Sequence, residues 1–142
     1  MDPKLVAAAR GAFPKRDGAL VLGAPVSAGE CLPEPLVALP LAMANRHGLV
    51  AGATGTGKTK TLQLLAEQLS AAGVPVFLAD LKGDLSGVAA PGEANAPVQQ
   101  RAKETGWAWK PGACPVELFS LTGARGAQIR ATVTSFGPLL LS

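Results

Sequence analysis

Long apolar runs and a leader-like start are both missing from this sequence. No stretch approaches the ~18 consecutive apolar residues that a membrane-spanning helix needs. The opening Met1–Lys4 carries Asp2, although a secretory leader has only positive charge at that point, and the apolar stretch Leu5–Ala9 is too short for a leader core. The sequence therefore predicts a cytoplasmic protein without a membrane partner.

Cysteine and clustered charge are scarce as well. Cys31 and Cys114 are the only 2 cysteines and form no Cys-x-x-Cys pair. We therefore expect two free thiols, with a disulfide between them as the alternative. The net charge is +3, but even the densest basic pair, Lys15-Arg16, lies beside Pro and Gly, as in a solvated turn. Without a basic stripe, this charge is compatible with DNA as a partner but gives no argument for it.

What remains is the composition of a loop-rich globular domain. The 142 residues are 48% hydrophobic and 16% charged, which is enough apolar material for one hydrophobic core. The 17 glycines and 12 prolines stay below the level of about 25–30% at which sequences are typically disordered. No internal repeat or low-complexity segment interrupts the chain.

The first third of the chain is predicted to contain one small β element. Residues 1–18 show no strong pattern and are expected to be a flexible lead-in. Residues 19–44 form the β element, because Ala19–Gly23 and Leu36–Leu41 both have the apolar character of short strands. The piece between these strands is rich in turn formers, namely Pro25, Gly29, Pro33 and Pro35.

The next region has the pattern of a strand–helix–strand unit. Leu49–Ala51 is a short apolar strand, and Val74–Ala79 is apolar enough for a strand covered on both faces. Between them a helix carries apolar residues at the spacing of one buried face, and Gly73 occupies the position of its C-terminal glycine. That face comprises Leu62, Leu65, Ala66 and Leu69. We expect two parallel strands with a right-handed crossover, and hence an α/β fold.

Further elements are predicted after this unit. Asn95 is suited to cap a short helix over Pro97–Thr105 that stops at Gly106. The remaining patterned stretches are Pro115–Leu121 and Ile129–Val133, which are strand-like, and Pro138–Ser142, which has the character of a first helical turn.

The turn Gly52–Thr59 matches the pattern G-x-x-x-x-G-K-[ST] at every fixed position. Glycines let the backbone curl so that successive N–H groups point at phosphate oxygens, and the following helix adds its unpaired N–H groups and positive dipole end. Lys58 is predicted to place its charge on the β- and γ-phosphates, and the Thr59 hydroxyl to ligate magnesium. These two are the predicted catalytic residues. The predicted nucleotide-binding residues are Gly52, Thr54, Gly55, Thr56, Gly57, Lys58, Thr59 and Lys60.

ATP with Mg²⁺ is the predicted ligand, since the sequence lacks the Asn-Lys-x-Asp motif with which many proteins read guanine. A glycine-rich turn without any ligand is the alternative interpretation. The position of the motif between a strand and an amphipathic helix argues against that alternative.

Asp80 closes the second apolar strand and has three interpretations. In the first, it is a Walker B aspartate that holds magnesium through water, although Leu81 occupies the place of the glutamate in an Asp-Glu pair. In the second, Lys82-Gly83-Asp84 forms a turn near the nucleotide. In the third, Asp80 only stabilises a tight turn at the end of the strand. Asp80 is accordingly the second candidate magnesium ligand.

The residues around both motifs resemble the HerA/FtsK class of P-loop motor ATPases, and most of all the bacterial HerA-like helicase-domain proteins of poorly defined role. Because the P-loop occurs in many families, the discriminating piece is Asp80–Ser86 at its distance from Lys58. The segments that carry the resemblance are residues 45–59, 74–87, 129–133 and 137–142.

The resemblance implies a RecA-like P-loop NTPase core with a parallel sheet, incomplete here and preceded by the short β element. It also implies a ring-shaped, usually hexameric, ATP-driven motor that moves DNA or protein, so that the intact protein would be a homo-oligomer. Family members are several times longer, and their Walker B Asp-Glu pair, sensor and arginine finger come later and have no counterpart in this sequence. Residues 45–142 are therefore expected to be the N-terminal part of such a core, truncated before Walker B. We expect this chain to bind ATP without efficient turnover.

Two other functions are compatible with the P-loop. A small P-loop kinase would use Asp80 to orient an acceptor and would need arginines in a lid over the phosphates. The candidates Arg101, Arg125 and Arg130 are not grouped into a lid. A nucleotide-binding module without turnover would explain the missing catalytic carboxylate. ATP-induced oligomers would separate the motor from the kinase, and phosphoryl transfer to a small acceptor would separate the kinase from the module.

Overall fold

A computed structural model of the chain describes residues 3–14 and 17–130. Within these residues the strands form three separate two-stranded sheets. The helices are α1 (Pro3–Ala12), α2 (Lys58–Ala71) and α3 (Ala96–Thr105), with 3₁₀ turns at Leu41–Met43 and Ser86–Ala89. The strands are β1 (Ala19–Gly23), β2 (Val26–Ser27), β3 (Glu30–Cys31), β4 (Val37–Pro40), β5 (Phe119–Ser120) and β6 (Ala127–Gln128). In this part of the chain no helix is long and apolar enough to cross a membrane.

The two strands predicted in residues 19–44 are confirmed as β1 and β4. They pair antiparallel with Leu20 opposite Leu39, and Leu20 is only 3% exposed. The turn-rich piece between them also contains a hairpin, β2–β3, which the sequence pattern did not reveal. Its two turn residues, Ala28 at φ +49° and Gly29 at φ +81°, are both left-handed, as a two-residue hairpin turn requires.

Helix α1 lies where we predicted a lead-in without an element. Its residues include Ala, Leu, Lys and Arg, which are among the strongest helix formers, and Pro3 stands at the first helical position, where proline is favoured. No residue of α1 is buried. Local propensity therefore accounts for this helix, and a search for a buried apolar face could not find it.

Helix α2 begins and ends where the sequence predicts. It starts at Lys58, directly after Gly57, and ends at Ala71. Gly73 has φ +77°. Its N–H donates to the Ser70 carbonyl at 2.9 Å, and the next N–H donates to the Leu69 carbonyl at 2.9 Å. These two bonds form a Schellman motif, so the prediction of a C-terminal glycine is confirmed.

The buried face of α2 differs from the predicted apolar face. Ala66 is buried as expected, but Leu62 is 38% exposed, whereas Gln63 is only 7% exposed. A second glutamine joins α2 to β1, because the Gln68 amide accepts from the Val21 N–H at 2.7 Å and donates to the Val21 carbonyl at 2.8 Å. Hydrogen bonds from two glutamines, in addition to apolar contact, therefore fix α2 against its neighbours.

The structure differs from the prediction at the two strands on either side of α2. Residues 49–51 and 74–79 pair with no strand in the described part of the chain. Leu49 is 89% exposed and Phe77 is 83% exposed. A strand needs a neighbour to bond its N–H and C=O groups, and an apolar strand needs cover on both faces, which the described residues do not supply here. The strand–helix–strand unit is thus present only as its helix, and the RecA-like parallel sheet stays a prediction.

The later elements agree with the sequence in part. Helix α3 is confirmed, with the Asn95 side chain accepting from the Val98 N–H at 3.0 Å and Gly106 left-handed at its end. The stretch predicted as a strand over Pro115–Leu121 forms a strand only at β5, which pairs in parallel with β6. The predicted strand at Ile129–Val133 begins directly after β6, and its described residues, Ile129 and Arg130, are not in a strand. Residues 131–133 of that strand and the predicted turn at Pro138–Ser142 lie outside the described residues.

Candidate functional site

Three donors in the glycine-rich loop converge on one carbonyl oxygen. The Ala53 carbonyl accepts from the Thr56 N–H at 3.4 Å, from the Thr56 hydroxyl at 2.8 Å and from the Lys58 ammonium at 2.7 Å. The lysine is therefore folded back over the loop, and its charge lies at the loop rather than in open solvent. Thr54 is exposed on the outside of this turn.

Glycine is required at three positions of the loop for two different reasons. Gly55 and Gly57 have φ of +81° and +93°, a conformation that side-chain-bearing residues rarely adopt. At Gly52 the reason is close approach, since a Cβ there would lie 2.5 Å from the Thr56 hydroxyl oxygen. Apart from the glycine and its two chain neighbours, no atom would lie within 4 Å of a Cβ at Gly55 or Gly57. The loop is thus tightly curled on one side and open on the other.

The first turn of α2 presents free donors to this loop. The N–H groups of Lys58, Thr59 and Lys60 stand at the helix start, where no intrahelical carbonyl can accept from them. The N-terminal residue before the helix, Gly57, has no side chain to cap them. Unpaired N–H groups and the positive end of the helix dipole together favour an anion at this point.

A carboxylate from the following turn reaches the start of α2. The Thr59 hydroxyl donates to Oδ2 of Asp84 at 3.1 Å. Gln63, one helical turn after Thr59, donates from its side-chain amide to the Asp84 backbone carbonyl at 2.8 Å. The turn that contains Asp84 is therefore attached to the same face of α2 that carries Thr59.

Asp80 organises this turn through its own carboxylate. Oδ1 accepts from the N–H groups of Lys82 at 3.2 Å and Gly83 at 2.8 Å, and Oδ2 accepts from Leu85 N–H at 2.9 Å. Desolvation raises the pKa of Asp80, but hydrogen bonds from backbone N–H groups, with Leu85 the strongest, outweigh it and hold that pKa below its ordinary value. Asp80 thus stabilises a turn, as in the third interpretation, and the contact of Asp84 with Thr59 puts this turn beside the glycine-rich loop, as in the second.

The structure gathers some of the predicted site residues and not others. It brings together the loop from Gly52 to Gly57 with Lys58 and Thr59. The Lys60 ammonium donates instead to the Gln63 side-chain oxygen at 2.9 Å, away from the loop. Asp80 is turned into its own loop, and the carboxylate beside Thr59 belongs to Asp84.

Sequence reasoning missed Gln63 and the position of Asp84. The signal for Gln63 was its place four residues after Thr59, on the same side of the helix, inside a stretch whose buried face was expected to be apolar. Asp84 had been considered only as part of a turn. Its pairing with Thr59 depends on how the turn folds back, which spacing along the chain does not specify.

A groove among the described residues lies apart from the loop. It has a volume of about 440 Å³ and runs along α2 beside residues 109–115. Lys60, Gln63, Glu67 and Trp109 are among its lining residues, and none of the residues from Gly52 to Thr59 contributes to it. The loop itself is an open surface.

One comparison with known proteins found a match. The family described as helicase HerA-like C-terminal matches residues 28–142. A search of curated proteins and a search of solved structures each returned no match. The resemblance noted above pointed to an N-terminal portion of a HerA-like protein, a finer assignment that this match does not support. Because the match spans well over half of the chain, the chain belongs to the helicase HerA-like C-terminal family.

Proposed function

We propose that this chain is the ATP-binding part of a HerA-like motor ATPase. The loop from Gly52 to Gly57 would hold the triphosphate, with Lys58 and the first N–H groups of α2 as donors and Thr59 as the magnesium ligand. The observation that carries the proposal is the open, uncapped start of α2 behind a loop whose glycines are left-handed. Family membership supports the motor class. A RecA-like parallel core remains the proposed fold of residues 45–142.

The residues present fit a bound phosphate. The space at the Cβ positions of Gly55 and Gly57 is empty to 4 Å, so a ligand can approach the backbone closely. The donor set consists of one ammonium group, one hydroxyl and backbone N–H groups, which is the chemistry that phosphate oxygens accept. A bound Mg²⁺ would supply charge neutralisation at the β- and γ-phosphates.

Lys58 has to change partner when a phosphate binds. In the structure its ammonium donates to the Ala53 carbonyl at 2.7 Å, a neutral acceptor within the loop. A phosphate oxygen carries negative charge and forms the stronger, charge-assisted bond. The lysine is therefore held close to the place where it is needed and has only to exchange one acceptor for another.

Binding without fast turnover is the second half of the proposal. Hydrolysis needs a base or a polar group that positions the attacking water. Both oxygens of Asp80 are engaged by backbone N–H groups, and Leu81 next to it is fully exposed. We therefore expect motor-like turnover to need residues supplied by a neighbouring subunit or by other parts of the intact protein.

Two lysines of the first turn of α2, Lys58 and Lys60, provide the test. Lys58→Ala should weaken binding of Mg²⁺–ATP about tenfold or more in a calorimetric titration, because it removes a charge-assisted contact of about 1.5–3 kcal/mol. Lys60→Ala is the matched control, since that ammonium bonds Gln63 and should leave affinity within about twofold. Equal affinity of the parent and Lys58→Ala would refute the proposal. Phosphate release by the parent well above that of Lys58→Ala, at a motor-like rate, would refute the second half alone.

A further inference from the structure

We propose that Asp84, rather than Asp80, supplies a carboxylate from this chain to the magnesium site. This inference rests on the proposed function, because it assigns a role within the same nucleotide site. Asp84 would position the Thr59 hydroxyl and offer a carboxylate oxygen to Mg²⁺ or to its bound water.

The contact between Asp84 and Thr59 is the first observation. Oδ2 of Asp84 lies 3.1 Å from the Thr59 hydroxyl oxygen, and the two residues are 25 positions apart in the chain. Thr59 is the residue of the P-loop pattern whose hydroxyl ligates magnesium. Carboxylate and hydroxyl oxygens are hard ligands of the kind that Mg²⁺ prefers, and Mg²⁺ is usually held by one or two carboxylates together with phosphate oxygens.

The second observation is how firmly the Asp84 backbone is held. The Asp80 carboxylate accepts from the N–H groups on both sides of Asp84, at Gly83 and Leu85. Leu85 is itself buried, at 8% exposure, and Gln63 bonds the Asp84 carbonyl from α2. The Asp84 side chain is therefore presented toward Thr59 from a turn that is fastened at three points.

The third observation is a matter of charge. Among residues 3–14 and 17–130, no lysine, arginine or histidine forms an ion pair with Asp84. Two lysines flank Thr59, and both ammonium groups bond elsewhere: that of Lys58 donates to the Ala53 carbonyl and that of Lys60 to the Gln63 side-chain oxygen. A magnesium ion beside Thr59 would neutralise the Asp84 carboxylate, which the Thr59 hydroxyl does not do.

The Asp80 carboxylate uses most of its hydrogen-bonding capacity within the turn. Oδ1 and Oδ2 of Asp80 together accept from three backbone N–H groups. Turning either oxygen toward a metal would leave backbone donors unpaired and loosen the turn that presents Asp84. The two aspartates thus have different roles: Asp80 stabilises the turn, and Asp84 faces the site.

The test compares nucleotide binding with Mg²⁺ and with EDTA. A fluorescent ATP analogue is titrated into the parent chain, Asp84→Asn and Asp80→Asn under both conditions, and thermal unfolding of each is recorded. We expect Asp84→Asn to bind the metal-free nucleotide as the parent does and to lose about tenfold or more of the enhancement that Mg²⁺ gives the parent. Asp80→Asn should unfold at a lower temperature and, where folded, keep most of the enhancement.

Each outcome separates this inference from the proposed function. An undiminished Mg²⁺ enhancement in Asp84→Asn overturns the inference and leaves the proposed function standing. No nucleotide binding by the parent, with or without Mg²⁺, overturns the proposed function itself. Should Asp84→Asn fail to fold, Asp84→Ser and Asp84→Glu replace it, and the enhancement is expected to be lost in the first and partly kept in the second. The same enhancement in both would also overturn the inference.

Discussion

Helices α2 and α3 differ in how the unpaired N–H groups of their first turns are capped. At α3, Asn95 accepts from the Val98 N–H at 3.0 Å, and the second helical residue is Pro97, which has no N–H to satisfy. At α2, the residue before the helix is Gly57, without a side chain, and no side chain caps the first turn. The chain therefore caps the start of α3 with its own side chain and leaves the start of α2 without a side-chain cap.

The difference relates the proposed binding site to a missing stabilising contact. An asparagine cap is worth about 1 kcal/mol over alanine, and the chain uses one at α3. A cap at Gly57 would fill the place where an anion can bind. The lack of local stabilisation at α2 is what makes this helix start available to a ligand.

Gly57→Val, at the uncapped start of α2, is the substitution with the largest expected effect on ATP affinity. Valine is β-branched and strained at φ +93°, at a cost of roughly 1–2 kcal/mol, and its side chain would project into the open side of the loop. We expect ATP affinity to fall by more than tenfold, with a lower unfolding temperature. Gly57→Asn is the control for strain, because asparagine tolerates this backbone region better and should be the more stable of the two variants by thermal melting. Tight Mg²⁺–ATP binding by the valine variant would show that the inferred loop geometry is wrong.

Asn95→Ala removes the cap of α3 and should have a medium effect, which is on stability. Losing the bond to the Val98 N–H should reduce the free energy of unfolding by about 1 kcal/mol, measured by chemical denaturation. Because α3 has no part in the proposed site, ATP affinity should remain that of the parent. Asn95→Asp retains an acceptor and should retain the stability. If Asn95→Ala weakened ATP binding as much as Lys58→Ala does, the two helix starts would not be functionally distinct.

The smallest expected effect is on the pH dependence of stability, through the turn that Asp80 stabilises beside α2. The pKa of Asp80 is lowered in the folded chain, so its carboxylate contributes stability that is present above the ordinary aspartate pKa and is lost as the pH falls through the lowered folded pKa. We expect a shallow decline in stability in that acidic range, followed by denaturant unfolding at stepped pH. Asp80→Asn should have a flatter profile there. A profile in the variant as steep as in the parent would assign the decline to other groups.

Helix ends were predictable from sequence because their determinants are local. Asn95, Gly106 and Gly73 each impose a conformation on their own residue and its near neighbours, and all three helix boundaries agree with the structure. Strands were predictable only where both partners lie close in the chain, as for β1 and β4. For Val74–Ala79 the apolar pattern indicated burial, but burial depends on partners that the described residues do not place there.

The candidate site was predictable to the same extent. The roles of Gly55 and Gly57 follow from the backbone alone, and the structure has both in the left-handed region. The contact of Asp84 with Thr59 and the clamp by Gln63 arise from the path of the turn after residue 80. An aspartate at the end of an apolar segment is a recognisable sequence pattern. Asp80 was therefore predicted as a metal ligand, and Asp84 was not.

The bond between Gln68 and Val21 also has a consequence for the solution behaviour of the chain. A strand at the edge of a small sheet exposes N–H and C=O groups to which a strand of another molecule can add. The Gln68 amide occupies both of these groups at Val21, in the middle of β1. At Val21 the edge of β1 is therefore closed to a strand of another molecule, and we expect Gln68→Leu to keep α2 but to increase self-association.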